Sequence, residues 1–314
     1  MNVSSPAREF EAVDDYRTRL PNGERITDRK DPVLWSDWSQ EAPVSRDEAV
    51  HYRDKGYLVR ENQFSEDEID LLINTSLELR SDTGGIRSED LITEPNSDAV
   101  RTVFRLDEHS PTFDRLARDS RLAGVAKFLL GDDVYLHQSR LNYKPGFTGK
   151  EFYWHSDFET WHAEDGMPRM RAVSASLLLT DNNRLNGPLM LIPGSQNRFV
   201  ACQGETPEDN HKSSLKKQEI GVPSQEVLEQ MVEELGLDAA TGPTGTLIFF
   251  DCNTLHASNG NVTPWPRSNA FFVFNALSNR TTAPFAASKP RPEFLAHRGT
   301  PRAITPIRGT LDRG

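Results

Sequence analysis

Apolar and polar positions follow two different rhythms along this chain, and the change falls near Val134. Before it, Ser45-Arg-Asp-Glu48 and Ser65-Glu-Asp-Glu68 each precede a stretch with helical spacing. The S-x-x-E form lets serine and glutamate cap a helix start reciprocally, which predicts helices over 45–55 and 65–80. "GYLVREN" between them reads as a short strand, and "PTFDRLARDSRLAGVAKFLLG" as a third helix stopping at Gly131, where a left-handed cap costs little. From Val134 onward the runs "VYLHQSRLNYK", "RAVSASLLLT", "PLMLIPGS", "GTLIFFD" and "NAFFVFNAL" are short and β-prone, with Gly, Pro and Asn between them. That spacing predicts an antiparallel sandwich or barrel, and with the helices before it an α+β fold.

Two segments break the rhythm. "SQEVLEQMVEELG" is an amphipathic helix among strands, and the polar stretch 203–223 before it reads as a long insert, a lid or binding loop. Residues 1–44 are polar and proline-bearing with Trp35 and Trp38, which predicts an extended arm that packs locally on a single domain spanning 45–314. No internal repeat is present.

The chain has 314 residues, 36% hydrophobic and 26% charged, the make-up of an ordinary globular protein. Its net charge of −11 argues against nucleic acid as a partner, since phosphate backbones are held by clustered Lys and Arg. No apolar run approaches the roughly 20 residues that span a bilayer, and "MNVSSPAREFEAVDD" has no apolar leader core, so a cytoplasmic chain without a membrane partner is expected. Cys202 and Cys252 stand fifty residues apart, which forms no CxxC pair and predicts reduced thiols rather than a thiolate zinc site.

Candidate chemistry concentrates in "FYWHSDFETWHAEDG". If "EFYWHSDF" is a strand, His155 and Asp157, two apart, project to one face and can converge on a metal. Alone, an H-x-D triplet is equally a surface pair. "DCNTLHASNG" offers His256, and two histidines with one carboxylate form the open facial triad of non-haem iron(II) oxygenases. Arg267 lies eleven residues on, alternating with Asn269 and Phe271 along the next strand. Read singly in "TPWPRSN", Arg267 is a surface residue; beside a triad it becomes an inward cation that needs an anion, which a carboxylate-bearing cosubstrate would supply. Ser258, two after His256, adds a donor. His162, Glu164 and Asp165 read as a solvated loop, because sequential crowding gives no defined ligand geometry.

The order H-x-D, then "GPLMLIPGS", then a distal His with Ser two later and Arg eleven later resembles the phytanoyl-CoA dioxygenase-like iron(II)/2-oxoglutarate oxygenases, from about residue 45 to 300. More narrowly, "FYWHSDFETWHAEDGMPRMRAVSASLLLTDNN", "FFDCNTLHASNGNVTPWPRSNAFFVFN" and "KPRPEF" are similar to the ectoine hydroxylases, also called ectoine dioxygenases. The resemblance implies a double-stranded β-helix (jelly-roll, cupin-like) core with flanking, mainly N-terminal helices, a homodimer, and conversion of ectoine to 5-hydroxyectoine with Fe(II), 2-oxoglutarate and O2. Carried over by position, it implies iron ligands His155, Asp157 and His256. It places 2-oxoglutarate on Asn142, Phe152, Ser258 and Arg267 with Asn269 nearby, and ectoine on Gln138, Thr160, Trp161, Phe250 and Arg291.

The residue chemistry agrees with that assignment. Ectoine pairs a cyclic amidinium with a carboxylate, so its pocket needs an aromatic face, which Trp161 and Phe250 offer, and a donor, which Arg291 offers. Packing is the commoner fate of Trp161 and Phe250, and a proline-flanked Arg291 is commonly solvated. Gln138 and Asn142 share one side of "VYLHQSRLNYK" because their separation is even. Two other functions fit the residues: hydroxylation of another small zwitterion such as proline, and a non-catalytic jelly-roll binding module organised by a metal.

Overall fold

Both serine–glutamate boxes form. The computed structural model describes residues 14–93, 99–215 and 217–311, so the first thirteen residues of the arm lie outside the described residues. Ser45 and Glu48 cap α1 (Arg46–Lys55) and Ser65 and Glu68 cap α2 (Glu66–Ser81), each pair exchanging side-chain and backbone hydrogen bonds. The rest of the arm goes further than local packing: β1 (Arg25–Asp28) pairs antiparallel with residues 198–201, and Arg29 next to it forms a buried ion pair with Asp251, 2.7 Å apart. Strands β2 (Tyr57–Arg60), β3 (Leu91–Thr93) and β4 (Val100–Phe104) follow.

The expected third helix is broken. Preceded by a short α3 (Leu106–His109), it appears as α4 (Pro111–Ala117) and α5 (Val125–Leu130), with a wider turn over Ser120–Gly124 between them. Asp119 causes the break: its backbone is extended, and its carboxylate accepts from Arg121 N and pairs with the Arg115 and Arg121 guanidiniums. Asp competes with the helix for backbone donors in this way. The end at Gly131 is as expected, with φ 58°.

A second departure bears on the site. β5 (Val134–Lys144) is followed by β6 (Phe152–His155), but the strand ends there and α6 (Asp157–Asp165) begins. Ser156-Asp-Phe-Glu159 is a third S-x-x-E sequence, and the Ser156 hydroxyl accepts from Glu159 N. A cap, rather than strand alternation, therefore sets the direction of Asp157.

Next come β7 (Ala172–Leu178), β8 (Leu189–Leu191), β9 (Arg198–Ala201), α7 (Asn210–Ser214) and the amphipathic α8 (Gln225–Leu235). Then follow β10 (Asp238–Ala240), β11 (Leu247–Asp251), β12 (His256–Ser258) and β13 (Arg267–Ala276). One sheet runs β2-β11-β7-β13-β5-β4-β3 and a second runs β10-β8-β12-β6, all antiparallel. These two sheets are the expected double-stranded β-helix core.

The larger sheet is buried on both faces. Leu247 and Phe249 of β11 join Phe272 and Phe274 of β13 in the core shared with the helices, while Ile248, Phe250 and Phe271 pack with Leu189 and Leu191 of the smaller sheet. Period-two alternation in an all-apolar strand thus serves two compartments. The second compartment stays partly open, and the site lies there.

Glu68 holds the helical layer together. Beyond its cap it accepts from Arg121 at 2.8 Å and from Leu311 N at 2.9 Å. Burial alone would raise its carboxyl, but Arg121 and the backbone donors outweigh burial and bring it from 4.5 to about 2. A depressed carboxylate contributes stability above its unfolded value and loses it as pH falls through the folded one. Glu68→Gln should therefore flatten the decline of the urea midpoint between about pH 4.5 and 2, and an unchanged slope would remove Glu68 from this role.

Candidate active site

His155 and His256 are direct cross-strand neighbours in the antiparallel pair β6–β12, with ring centroids 4.3 Å apart. Each ring is oriented by its own strand: His155 Nδ1 lies 2.7 Å from Tyr153 O, and His256 Nδ1 2.9 Å from Thr254 O. A carbonyl only accepts, so both Nδ1 atoms carry the proton and both Nε2 atoms present lone pairs. Asp157, at the start of α6, places Oδ1 3.8 Å from His155 Nε2 and Oδ2 3.9 Å from His256 Nε2. Ser174 on β7 donates to Asp157 Oδ2 at 3.3 Å.

The three donor atoms lie within 4.8 Å of one another, and no fourth His, Cys, Asp or Glu joins them among the described residues. Burial, and next the neighbouring His155, push His256 down to about 4, so it is neutral, the ligating form, at neutral pH. Two imidazoles and a carboxylate with open positions fit iron(II).

A single cleft between the sheets contains this cluster and most of the other expected residues. Gln138 and Asn142 of β5, Phe152 of β6, Thr160 and Trp161 of α6, Phe250 of β11, Ser258 of β12, Arg267 of β13 and Arg291 all line it. Phe250 both packs in the apolar compartment and lies 4.9 Å from the His256 ring; Trp161 likewise packs with Phe158 and Met170 while facing the cleft. Asn269 is the exception. It donates to Ser176 Oγ and accepts from Asn182 Nδ2 inside the sheet, and it does not line the cleft.

At one end, Arg267 is buried and donates to Gly187 O, with no carboxylate ion pair among the described residues. Burial pushes it down to about 10. Its register partner on β5 is Lys144, which donates to Ser258 Oγ at 2.9 Å and to Asn259 O. Arg140 of β5 also lines the cleft, over the Phe271 ring. Arg140 and Lys144 were legible but missed, since period two carries Gln138 and Asn142 on to both.

At the other end the expected solvated loop is a buried helix. His162 stacks on Phe285 and contacts Asp14, Glu164 pairs with Arg19, and Asp165 is bidentate with Arg291 and also bound by Arg298. Burial raises the Asp165 carboxyl, but Arg291 and His137 outweigh it and hold it well below the usual range. These charges come inside because each meets a partner from a distant segment. Arg291 is thereby fixed rather than solvated. The 203–223 segment also reaches the cleft: Asn210, Leu215 and Gln218 line it, Gln218 donates to Thr160 Oγ1 at 3.3 Å, and Arg101 donates to Leu215 O at 2.6 Å.

The chain is similar to known proteins in sequence and in fold. A family model described as phytanoyl-CoA dioxygenase (PhyH) matches residues 52–269. An ectoine dioxygenase from Sphingopyxis alaskensis is 53% identical over 298 residues, spanning 95% of this chain and 97% of that protein. The crystal structure of EctD from S. alaskensis with 2-oxoglutarate and 5-hydroxyectoine is similar at TM-score 0.88 and 49% identity, covering 95% of this chain and 100% of that one. The structure of EctD with bound Fe gives TM-score 0.86 and 47% identity over the same shares.

The geometry separates a metal centre from the neighbouring histidine. Asp157→Ala should abolish stoichiometric binding of a divalent cation in calorimetric titration, whereas His162→Gln should retain it. Equal loss in both variants would place the ion elsewhere.

Proposed function

The chain belongs to the phytanoyl-CoA dioxygenase family, and from that premise we propose that it is an iron(II)/2-oxoglutarate-dependent oxygenase that hydroxylates ectoine to 5-hydroxyectoine. One observation carries the reading: the His155–Asp157–His256 cluster shares a cleft with a buried arginine at one end and an aromatic wall at the other. His155, Asp157 and His256 would hold the iron. Bound there with 2-oxoglutarate and O2, iron(II) supplies the oxidation that puts one oxygen atom into a C–H bond and the other into succinate, with release of CO2.

The chain's own share is binding and placement. Arg267 pairs with the distal carboxylate of 2-oxoglutarate, a partner its buried charge otherwise lacks, and the Ser258 hydroxyl donates beside it. Asn142 and Phe152 flank the cosubstrate, Asn142 being fixed by Thr102 at 3.1 Å. Asn269 contributes at one remove, by tying β13 to β7 through Ser176.

For ectoine, Trp161 and Phe250 face the delocalised amidinium, and Arg291 takes the carboxylate with the N–H groups that Asp165 leaves free. Gln138, held by Leu295 O at 2.6 Å, and Thr160 complete the pocket. The 203–223 segment acts as a lid, since its contact with Thr160 covers the substrate side and excludes water. Two buried free thiols, Cys202 and Cys252, support a cytoplasmic setting, and the likeness to ectoine dioxygenases supports a homodimer.

The decisive assay supplies iron(II), 2-oxoglutarate, O2 and ectoine, and identifies products by NMR. The expected result is 5-hydroxyectoine formed one-to-one with succinate, and loss of both in Asp157→Ala. Turnover of proline in place of ectoine would move the reading to another zwitterion, and stoichiometric iron with no succinate formed in the presence of any substrate would favour a binding module. Arg267→Ala should raise KM for 2-oxoglutarate about thirty-fold or more while leaving iron affinity unchanged.

A further inference from the structure

Arg291 lines the cleft from a stretch, 280–300, that contains no helix or strand. Neither strand alternation nor helical spacing aims its side chain, so tertiary contacts must do so. The stretch is first laid along β5: Gln138 Nε2 donates to Leu295 O at 2.6 Å, and His297 N donates to His137 O at 2.9 Å. One side chain then closes it onto the end of α6. Arg298 donates through Nη2 to Asp165 Oδ1 at 2.7 Å, through Nη1 to Asp165 O at 2.8 Å, and through Nε to Arg291 O at 3.2 Å. Asp165, fully buried, in turn accepts from Arg291 Nε at 2.9 Å and Nη2 at 2.5 Å.

Arg298 itself does not line the cleft; it stays partly exposed, in a surface recess beside Tyr135 and Thr300. Closing the loop does not require it, because the two contacts with β5 already do that. What its fork adds is a hold on both ends of one arginine, the Arg291 main chain directly and the Arg291 guanidinium through Asp165.

We infer that Arg298 is a positioning residue for ectoine: from outside the cleft it locks Asp165 to the Arg291 backbone, and so fixes the orientation in which the Arg291 guanidinium meets the substrate carboxylate. The inference rests on the reading of Arg291 as the residue that takes that carboxylate. Asp165 occupies Nε and one N–H of Nη2, which leaves Nη1 and the second Nη2 N–H for the substrate. A guanidinium held in one orientation binds without the loss of side-chain freedom that a loose one suffers. Only a planar fork reaches three acceptors at once, so lysine at position 298 would keep the charge and lose the lock.

The test titrates ectoine calorimetrically into the full chain loaded with manganese(II) and 2-oxoglutarate, without O2, so that nothing turns over. Arg298→Met should weaken ectoine about ten-fold or more, with affinities for manganese and 2-oxoglutarate unchanged. In an Arg291→Ala background the same substitution should have no further effect, because residues that act through one another are not additive. A full loss repeated in that background marks a merely structural residue and overturns the inference, as does wild-type ectoine affinity in Arg298→Met. Arg291→Ala alone separates the underlying reading: unchanged ectoine affinity there places the carboxylate elsewhere, whereas a loss there with no effect of Arg298→Met defeats the positioning role alone. Should Arg298→Met not fold, Arg298→Lys carries the same test, with about a five-fold loss expected and wild-type affinity overturning it.

Discussion

The antiparallel pairing of β6 with β12 is the constraint on which the rest of the site depends. It sets His155 opposite His256, and each strand's own carbonyl orients its ring. Immediately after His155 the chain turns out of the sheet at the Ser156 cap, so Asp157 meets the two imidazoles from the start of a helix. A one-residue slip in that register would send one histidine to the opposite face. The hydrophobic compartments on both sides of the larger sheet, with β13 buried at every position, oppose such a slip.

Charge is distributed against the average. The chain is acidic overall, yet Arg140, Arg267 and Arg291 converge on one cleft. Only Arg291 among them is neutralised by a carboxylate ion pair in the described structure, through Asp165. That asymmetry gives the two ends of the cleft different tasks. The Arg267 end has positive charge to offer an anion, whereas the Arg291 end offers an oriented donor whose charge is already balanced, which suits a zwitterion.

The polar N-terminal segment belongs to the same design. Arg19 binds Glu159 and Glu164 of α6, Thr18 adds a hydrogen bond to Glu159, and Asn210 of the 203–223 segment bonds Glu164. A Cβ at Gly221 would lie 2.2 Å from Glu159 Oε2, so the same segment closes directly onto this pair. The helix bearing Asp157, Thr160 and Trp161 is therefore held by two segments remote from it in sequence.

By itself the sequence determined the elements whose cause is local. Serine–glutamate caps placed α1 and α2, Gly131 ended α5, and period-two apolar runs located the main strands. The spacing of His155, Asp157, His256, Ser258 and Arg267, together with the family resemblance, named the residues that converge. The tertiary structure decided what depends on partners far along the chain. It buried His162 to Asp165 because Asp14, Arg19, Arg291 and Arg298 reach them, broke the third helix where Asp119 meets Arg115 and Arg121, and turned Asn269 into the sheet. It also set Lys144 beside Arg267, a consequence of strand register, which no local pattern encodes.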